Sequence, residues 1–348
     1  MIVHAVVTGV LVGTRVIGIF AMLLAGAAAL TRRPTLRTLG LLIAYGLVVA
    51  LVLPVVWPVL QIDPIGIVKN AVLGSTSNPY INPNLFRGKM IPASALPWDY
   101  MPMWILMTTP MIVSGLFFVG AGRIIADTMR SPRAFLLGER QQDAIVFAWF
   151  FLPVMGCVVL RPVMYDTWRH LFFVYPALVY MGAMGMETIA LHAQAYAGVA
   201  RQRIVHAGLV AALLLCLAPV VDFMVRNHPF EHIYFNRLAG RDMAEIKQKY
   251  ELDYWGLSYR KALEYIVRTD TASTIRVSTI NLPGMVNSTM LSRRDRARIK
   301  YVSLDEQADY FITNYRFHPE PYQIPHEVFA VRVGNASIVS VFRLRPAP

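Results

Sequence analysis

The feature that most constrains this chain is a series of long apolar runs separated by short, arginine-bearing gaps. A helix that crosses a bilayer needs about 20 mostly apolar residues. Six stretches qualify: residues 3–30, 39–60, 103–121, 143–161, 171–191 and 207–225. Pro54, Pro58, Pro110, Pro153, Pro176 and Pro219 fall in or near the ends of five of them. Neighbouring groups take up the carbonyls that prolines free inside a membrane, so these do not argue against the spans. Only 16% of the 348 residues are charged and 56% are hydrophobic, well short of the roughly 25% charged residues of soluble domains. The predicted fold class is an α-helical integral membrane bundle of about six transmembrane helices, residues 1–225, followed by a small extracytoplasmic α/β domain, residues 226–348.

Loop arginines orient the bundle. Arg32, Arg33 and Arg37 follow the first run; Arg123, Arg130, Arg133 and Arg140 follow the third; Arg201 and Arg203 follow the fifth. Cytoplasmic loops carry such an excess, which sets the 61–102 loop, the 162–170 turn and everything after residue 225 on the outer side. Lys69, Arg87 and Lys89 in the first of these make the bias a trend rather than a strict division. The net charge of +12 is accounted for in this way, and no zinc spacing or RNA-binding signature points to nucleic acid. Cys157 and Cys216 both lie inside apolar runs, where neither a disulfide framework nor a cysteine zinc site is expected. The first run begins without a basic leader and is too long for a signal-peptide core.

Several polar groups stand out against this background. Arg15 interrupts the first run, and a charge there either faces the bundle interior or snorkels to the surface. The outward turn RPVMYDTWRH holds Arg161, Tyr165, Asp166, Arg169 and His170. Its arginines suit a phosphate as bidentate donors, and His170 has the chemistry of a proton shuttle; the other reading is a self-paired loop joining Asp166 to Arg169. The 61–102 loop is rich in proline and asparagine, with Trp98, Tyr100 and Trp104 placed near the interface and Asp99 as a spare carboxylate. His228, Glu231 and His232 look like metal ligands but lack the HExxH spacing and a third partner. In the last third, YELDYWGLSYRKALEYIVR reads as an amphipathic helix and TIRVSTI and ADYFITNY as buried strands. Residues 283–299 read as helical with a basic end, and Gly334-Asn335 as a hairpin turn. The basic run from Arg293 to Lys300 is a solvated face or a contact for anionic headgroups, and Asn287 and Asn335 stand in glycosylation sequons.

The segments LPWDYMPMWILMTTP, YDTWRHLFFVYPAL, HPFEHIYFNRLAG and ELDYWGLSYRKALEYI together resemble the later part of bacterial GT-C membrane glycosyltransferases. These are the protein O-mannosyltransferase-like and aminoarabinose-transferase-like proteins. The resemblance runs from the first helix to the C-terminal strands, and DYWG and YD-x-x-RH are its most specific parts. It implies a multi-pass protein of the inner (plasma) membrane that moves a sugar from a polyprenyl-phosphate carrier to an acceptor on the extracytoplasmic side. It also implies that Tyr165, Asp166, Arg169 and His170, with Arg161 and Arg15 nearby, meet the carrier phosphate, and that Asp99 meets acceptor or ion. The family's catalytic carboxylate sits in the first outward loop. Here the first run, read as passing from outside to inside, leaves no such loop, so no catalytic base is transferred and an additional N-terminal part is expected. No cofactor is indicated, a divalent metal stays open, and the expected partners are the lipid-linked sugar and membrane lipid. The alternatives are a non-catalytic membrane scaffold and a lipid-carrier-binding or transport protein; the paired broken helices of a transporter are not evident.

Overall fold

A computed structural model describes residues 1–76, 80–138, 140–197 and 201–345. Its N-terminal part is helical: α1 (Ile2–Thr14), α2 (Ile19–Arg32), α3 (Leu36–Val56) and α4 (Pro64–Thr76) precede the strands β1 (Pro83–Phe86) and β2 (Lys89–Pro92). Next come α5 (Tyr100–Thr108), α6 (Met111–Arg130), α7 (Pro132–Leu137), α8 (Gln141–Leu160), α9 (Tyr175–Ala197) and α10 (Gln202–Arg226). Among the described residues, five helices are long and apolar enough to cross a membrane: α3, α6, α8, α9 with the short 3-10 turn before it, and α10.

The first predicted span is two helices. The backbone turns extended at Arg15 (φ −149°, ψ 125°), and α1 and α2 meet there as a hairpin. His4 Nδ1 lies 2.8 Å from the Tyr45 hydroxyl and Gly9 packs on Val52, so α1 runs parallel to α3. Met22 packs on Gly46 and Gly26 on Leu42, so α2 runs antiparallel to it. Thus only residues 19–32 follow the direction expected for the whole 3–30 run. At 1.5 Å per residue α1 is about 20 Å long, shorter than the ~30 Å hydrocarbon core.

The third predicted span is also broken, at Thr109-Pro110. Pro110 has no N–H to return to the Leu106 carbonyl. Asn236 closes the gap: its Nδ2 donates to the carbonyls of Leu106 and Thr109, both at 2.7 Å, and its backbone N–H to that of Met107 at 2.8 Å. α6 then crosses α9 so closely that a Cβ on Gly120 would fall 1.8 Å from the Met181 carbonyl oxygen. Lipid gives helices no hydrophobic reason to associate, and close backbone approach at small residues supplies dispersion contact instead.

The last third holds α11 (Met243–Lys249), α12 (Tyr259–Thr269), β3 (Ile275–Thr279), α13 (Leu282–Val286), α14 (Arg293–Arg298), β4 (Ile299–Tyr301), β5 (Tyr310–Thr313), β6 (Glu327–Val333) and β7 (Ala336–Arg343). The strands form a sheet of order β4-β3-β5-β7-β6, parallel among the first three and antiparallel beyond. α12 packs on it through Tyr259, Leu263 and Ile266, all fully buried against Val277, Ile312 and Val339. The helix expected over 250–268 begins only at Tyr259. Asp253 accepts hydrogen bonds from the N–H groups of Leu257 and Ser258, and Gly256 sits at φ +69°, where a side chain would be strained.

The segment read as the 61–102 loop is largely structured, containing α4 and the β1–β2 hairpin; residues 77–79 of it lie outside the described residues. Its aromatics do not form a simple interfacial belt. Trp98 is 57% exposed, while Tyr100 and Trp104 are buried in a core that continues from α6 and α9 into Phe230, Ile233 and Ile338 of the last third. Bundle and sheet region therefore share one apolar core, joined at the end opposite the arginine-bearing gaps. Those gaps meet at the other end, where Gln141 Nε2 donates to Thr31 Oγ1 and Arg123 to Glu187.

Candidate functional site

The turn after α8 and the turn after β5 face each other across the junction. Both are held in uncommon backbone conformations: Asp166 and Thr167 have φ of 55° and 65°, and Tyr315 and Phe317, either side of Arg316, have 61° and 67°. Left-handed conformations in bulky residues persist only where the surroundings over-determine them, and they concentrate at ligand sites. Here they present opposite charges to one another. Asp166 accepts from Arg316 Nη2 and lies 3.0 Å from Arg169 Nη2. Arg316 also donates to the Tyr254 carbonyl at 2.7 Å and to the Tyr80 hydroxyl at 2.8 Å. Tyr80 stacks on Tyr165 with ring centroids 4.0 Å apart, and the Arg169 guanidinium lies 4.9 Å from the other ring contact, the Tyr165 centroid.

Beside this cluster lies Glu251, its side chain 4% exposed. Its nearest cation is Arg316, whose Nε is 3.8 Å away, and neither carboxylate oxygen has a hydrogen bond of good geometry. Burial pushes its pKa up to about 7; Arg316 pulls it down, Asp166 pushes it up, and a hydrogen bond from the Leu85 backbone N–H pulls it down. Two residues on, Asp253 is its opposite. Fully buried, it takes hydrogen bonds from Leu257 N, Ser258 N and Ser258 Oγ and lies 3.1 Å from His232 Nε2.

Glu251 and His232 share the wall of a cavity of about 470 Å³ between α5, the 161–168 turn, α10 and the 231–235 segment. That volume suits a small-molecule headgroup. Trp104, Trp168, Phe235 and Trp255 contribute aromatic faces, and Thr108 and Thr167 contribute hydroxyls. Trp168 is fixed by its indole N–H, which donates to Thr108 Oγ1 at 2.8 Å. Aromatic faces with a few convergent polar groups can hold a ring that is apolar on its faces and polar at its edge.

The seven positions singled out from sequence separate here. Tyr165, Asp166, Arg169 and His170 come together, with the Tyr165 and His170 rings 4.9 Å apart. The self-paired reading of the turn is correct as far as Asp166 and Arg169 go, but the chief partner of Asp166 is Arg316, 150 positions away. Arg15, exposed at the hairpin tip, is close enough to His170 for its charge to be felt there. Arg161 closes α8 in a left-handed conformation, is exposed, and has no ion-pair partner among the described residues. Asp99 pairs with Arg87 at 2.5 Å. It is no spare carboxylate. His228 binds Glu231 at 2.5 Å and His232 binds Asp253, and no group of three potential metal ligands occurs among the described residues.

Glu251, Asp253, Arg316 and Tyr80 are the residues that sequence reading passed over. Glu251 and Asp253 were inside a quoted motif, hidden by its assignment to a helix; the Asp-x-x-Gly that ends the extended segment was the available signal. No family model matches the chain, and neither a curated protein nor a solved structure matches it. Assignment of function therefore rests on the chemistry of the junction.

Proposed function

We propose that the chain binds a polyprenyl-phosphate-linked sugar at the junction of bundle and C-terminal region, and transfers the sugar to an acceptor on the extracytoplasmic side of the inner membrane. One observation carries this reading: buried arginine N–H groups without partners occur at the same junction as an aromatic cavity, whose wall includes Thr167 and Trp168, the residues just before Arg169. Arg169 Nε and Arg316 Nε are buried with no hydrogen-bond partner among the described residues. Unsatisfied buried donors are uncommon in native proteins and mark a missing acceptor; a lipid phosphate at the bilayer surface is an acceptor of the right charge. The prenyl chain would lie along the apolar helices, and the sugar would enter the cavity past Trp168 and Thr167. The arginine gaps at the opposite end support the outward assignment of this one. A carrier-binding protein without transferase activity is the second reading, favoured by Asp166 already pairing with both arginines.

The test uses the purified chain in lipid nanodiscs and citronellyl-phosphate mannose, a soluble short-chain probe. Trp104, Trp168 and Trp255 on the cavity wall make tryptophan fluorescence the readout. A saturable change is expected, weakened about tenfold or more by Arg169→Ala, since a charge-assisted hydrogen bond contributes roughly 1.5–3 kcal/mol. Free mannose should bind far more weakly. No saturable response to the mannose, glucose or N-acetylglucosamine form of the probe would remove the reading.

A further inference from the structure

We infer that α13 and the 3-10 turn Asn287–Met290 after it dip into the bilayer that holds the bundle, with the arginines of α14 meeting anionic headgroups. Leu282, Met285, Val286 and Met290 recur at helical spacing, the pattern that ordinarily marks the face a helix buries. Here that face points outward, its side chains from 44% to 68% exposed. The buried face is the small and polar one. Gly284 packs so closely on Thr279 that a Cβ would fall 2.6 Å from that of Thr279, and the Gly284 carbonyl accepts from the Tyr301 hydroxyl at 3.2 Å. Asn287 is buried and donates to the carbonyls of Gly256 and Pro283 at 3.1 and 2.8 Å. These contacts hold the segment from one side and leave its apolar side chains facing out.

Exposed apolar bulk is confined to this part of the C-terminal region. Among the described residues after 242, the exposed large apolar side chains are these four, Trp255, Leu257 and the separate Leu304. Pro283 packs on Gly256, between Trp255 and Leu257, and so joins the two groups. Soluble surfaces rarely gather apolar side chains in one patch without something to cover them. Position identifies the cover. Trp255 shares the wall of the junction cavity with Met224 of α10. α10 is long and apolar enough to cross a membrane, and its Val221 and Val225 are exposed. The apolar surface thus continues from the lipid-facing side of α10 through Trp255 onto α13. β3 and β5 are parallel, so α13 leaves the sheet at the same end as the turn that carries Arg316 to the junction. Charge follows the apolar patch along the chain. Arg293, Arg294 and Arg296 are exposed with no ion-pair partner among the described residues, whereas Arg298 turns inward to the carbonyls of Val267 and Ala272. Apolar side chains backed by arginines are what an interfacial membrane segment needs, and each arginine near an anionic surface strengthens its hold. This docking requires the membrane bundle and is independent of sugar transfer.

The experiment measures depth in the bilayer by spin labelling of the full chain in nanodiscs. Val286→Cys and, separately, Met290→Cys carry a nitroxide in a Cys157→Ala/Cys216→Ala background, with Leu304→Cys as the solvent reference. The discs are phosphatidylcholine alone or phosphatidylcholine with a quarter phosphatidylglycerol. Electron paramagnetic resonance power saturation compares collisions with oxygen, which concentrates in lipid, and with the neutral nickel chelate Ni-EDDA, which stays in water. At 286 and 290 oxygen accessibility should exceed that to Ni-EDDA by about twofold or more, and at 304 the order should reverse. Phosphatidylglycerol should raise the ratio at 286 and 290, and Arg293→Gln/Arg294→Gln/Arg296→Gln should abolish that rise. Ni-EDDA reaching 286 and 290 as readily as 304 overturns the docking. Low accessibility to both reagents overturns it too, and shows that a second copy or another protein covers the patch. A lipid-like ratio that phosphatidylglycerol does not change overturns the part given to the arginines, while the apolar insertion stands.

Discussion

The two ends of the helical bundle carry charge in opposite ways. At the end away from the sheet, Arg123 and Arg140 pair with Glu187 and Asp127 in view of solvent. At the junction end, Asp166, Glu251 and Asp253 are buried, Arg316 is largely so, and the turns presenting Asp166 and Arg316 are held in left-handed backbone. Exposed pairs tolerate many geometries, so they need no particular backbone. Buried charges need one arrangement, because desolvation is repaid only by well-placed partners. The contrast identifies the junction as the place where geometry is specified, and it can be broken by substitutions at each end.

The largest effect is expected from Asp166→Ala. It leaves Arg316 and Arg169 without their shared carboxylate, and removing one member of a buried pair costs roughly 3–5 kcal/mol. Thermal unfolding in detergent should show the loss. A cost below about 1 kcal/mol would mean that the junction cluster behaves like the exposed pairs at the other end.

Glu251→Gln should act in the opposite direction and depend on pH. Burial raises the carboxyl from 4.5 to about 7, so between those values the native state holds a proton that the unfolded chain has released. Wild-type stability therefore falls as pH rises through this window, and the full penalty, on the order of 3 kcal/mol, is present above about pH 7. Glutamine cannot ionise. The variant should match wild type near pH 4.5 and exceed it at pH 8, and equal stabilities at pH 8 would show that Glu251 is not held in a desolvated wall. Third comes Asn236→Ala, which leaves the Leu106 and Thr109 carbonyls at the helix break without donors. A loss of about 2 kcal/mol is expected, and hydrogen exchange should quicken in α5 ahead of α6.

How far the sequence reveals this arrangement depends on whether the signal is local. Five apolar helices, the buried strands β3 and β5 and the β6–β7 hairpin follow from runs and alternation that lie within a few residues of one another. YD-x-x-RH was legible for the same reason: Asp166 reaches Arg169 within one turn of chain. The break at Arg15 was visible as a charge, but its consequence, a hairpin, depends on α3 lying between the limbs' partners Tyr45, Gly46 and Val52. Glu251 and Arg316 were not legible. Residues 250–258 carry apolar side chains at helical spacing, and what prevents a helix is the set of donors that Asp253 collects. The partner of Asp166 lies 150 positions along the chain, and no pairwise spacing rule reaches that far.

The smallest effect tests the quiet side of the comparison. Glu187 is 60% exposed and meets Arg123 at 2.6 Å, a short contact that by distance alone would rank with those of the junction. Exposure overrides distance here: solvent already stabilises both charges, and Arg123 keeps Asp127 at 3.7 Å and the Thr188 hydroxyl at 3.2 Å when Glu187 is neutralised. Glu187→Gln should therefore cost less than about 1 kcal/mol, and raising salt should reduce even that. A loss comparable with that of Asp166→Ala, insensitive to salt, would place this end in a low-dielectric setting as well. The difference between the ends would then lie in backbone strain alone, not in burial of charge.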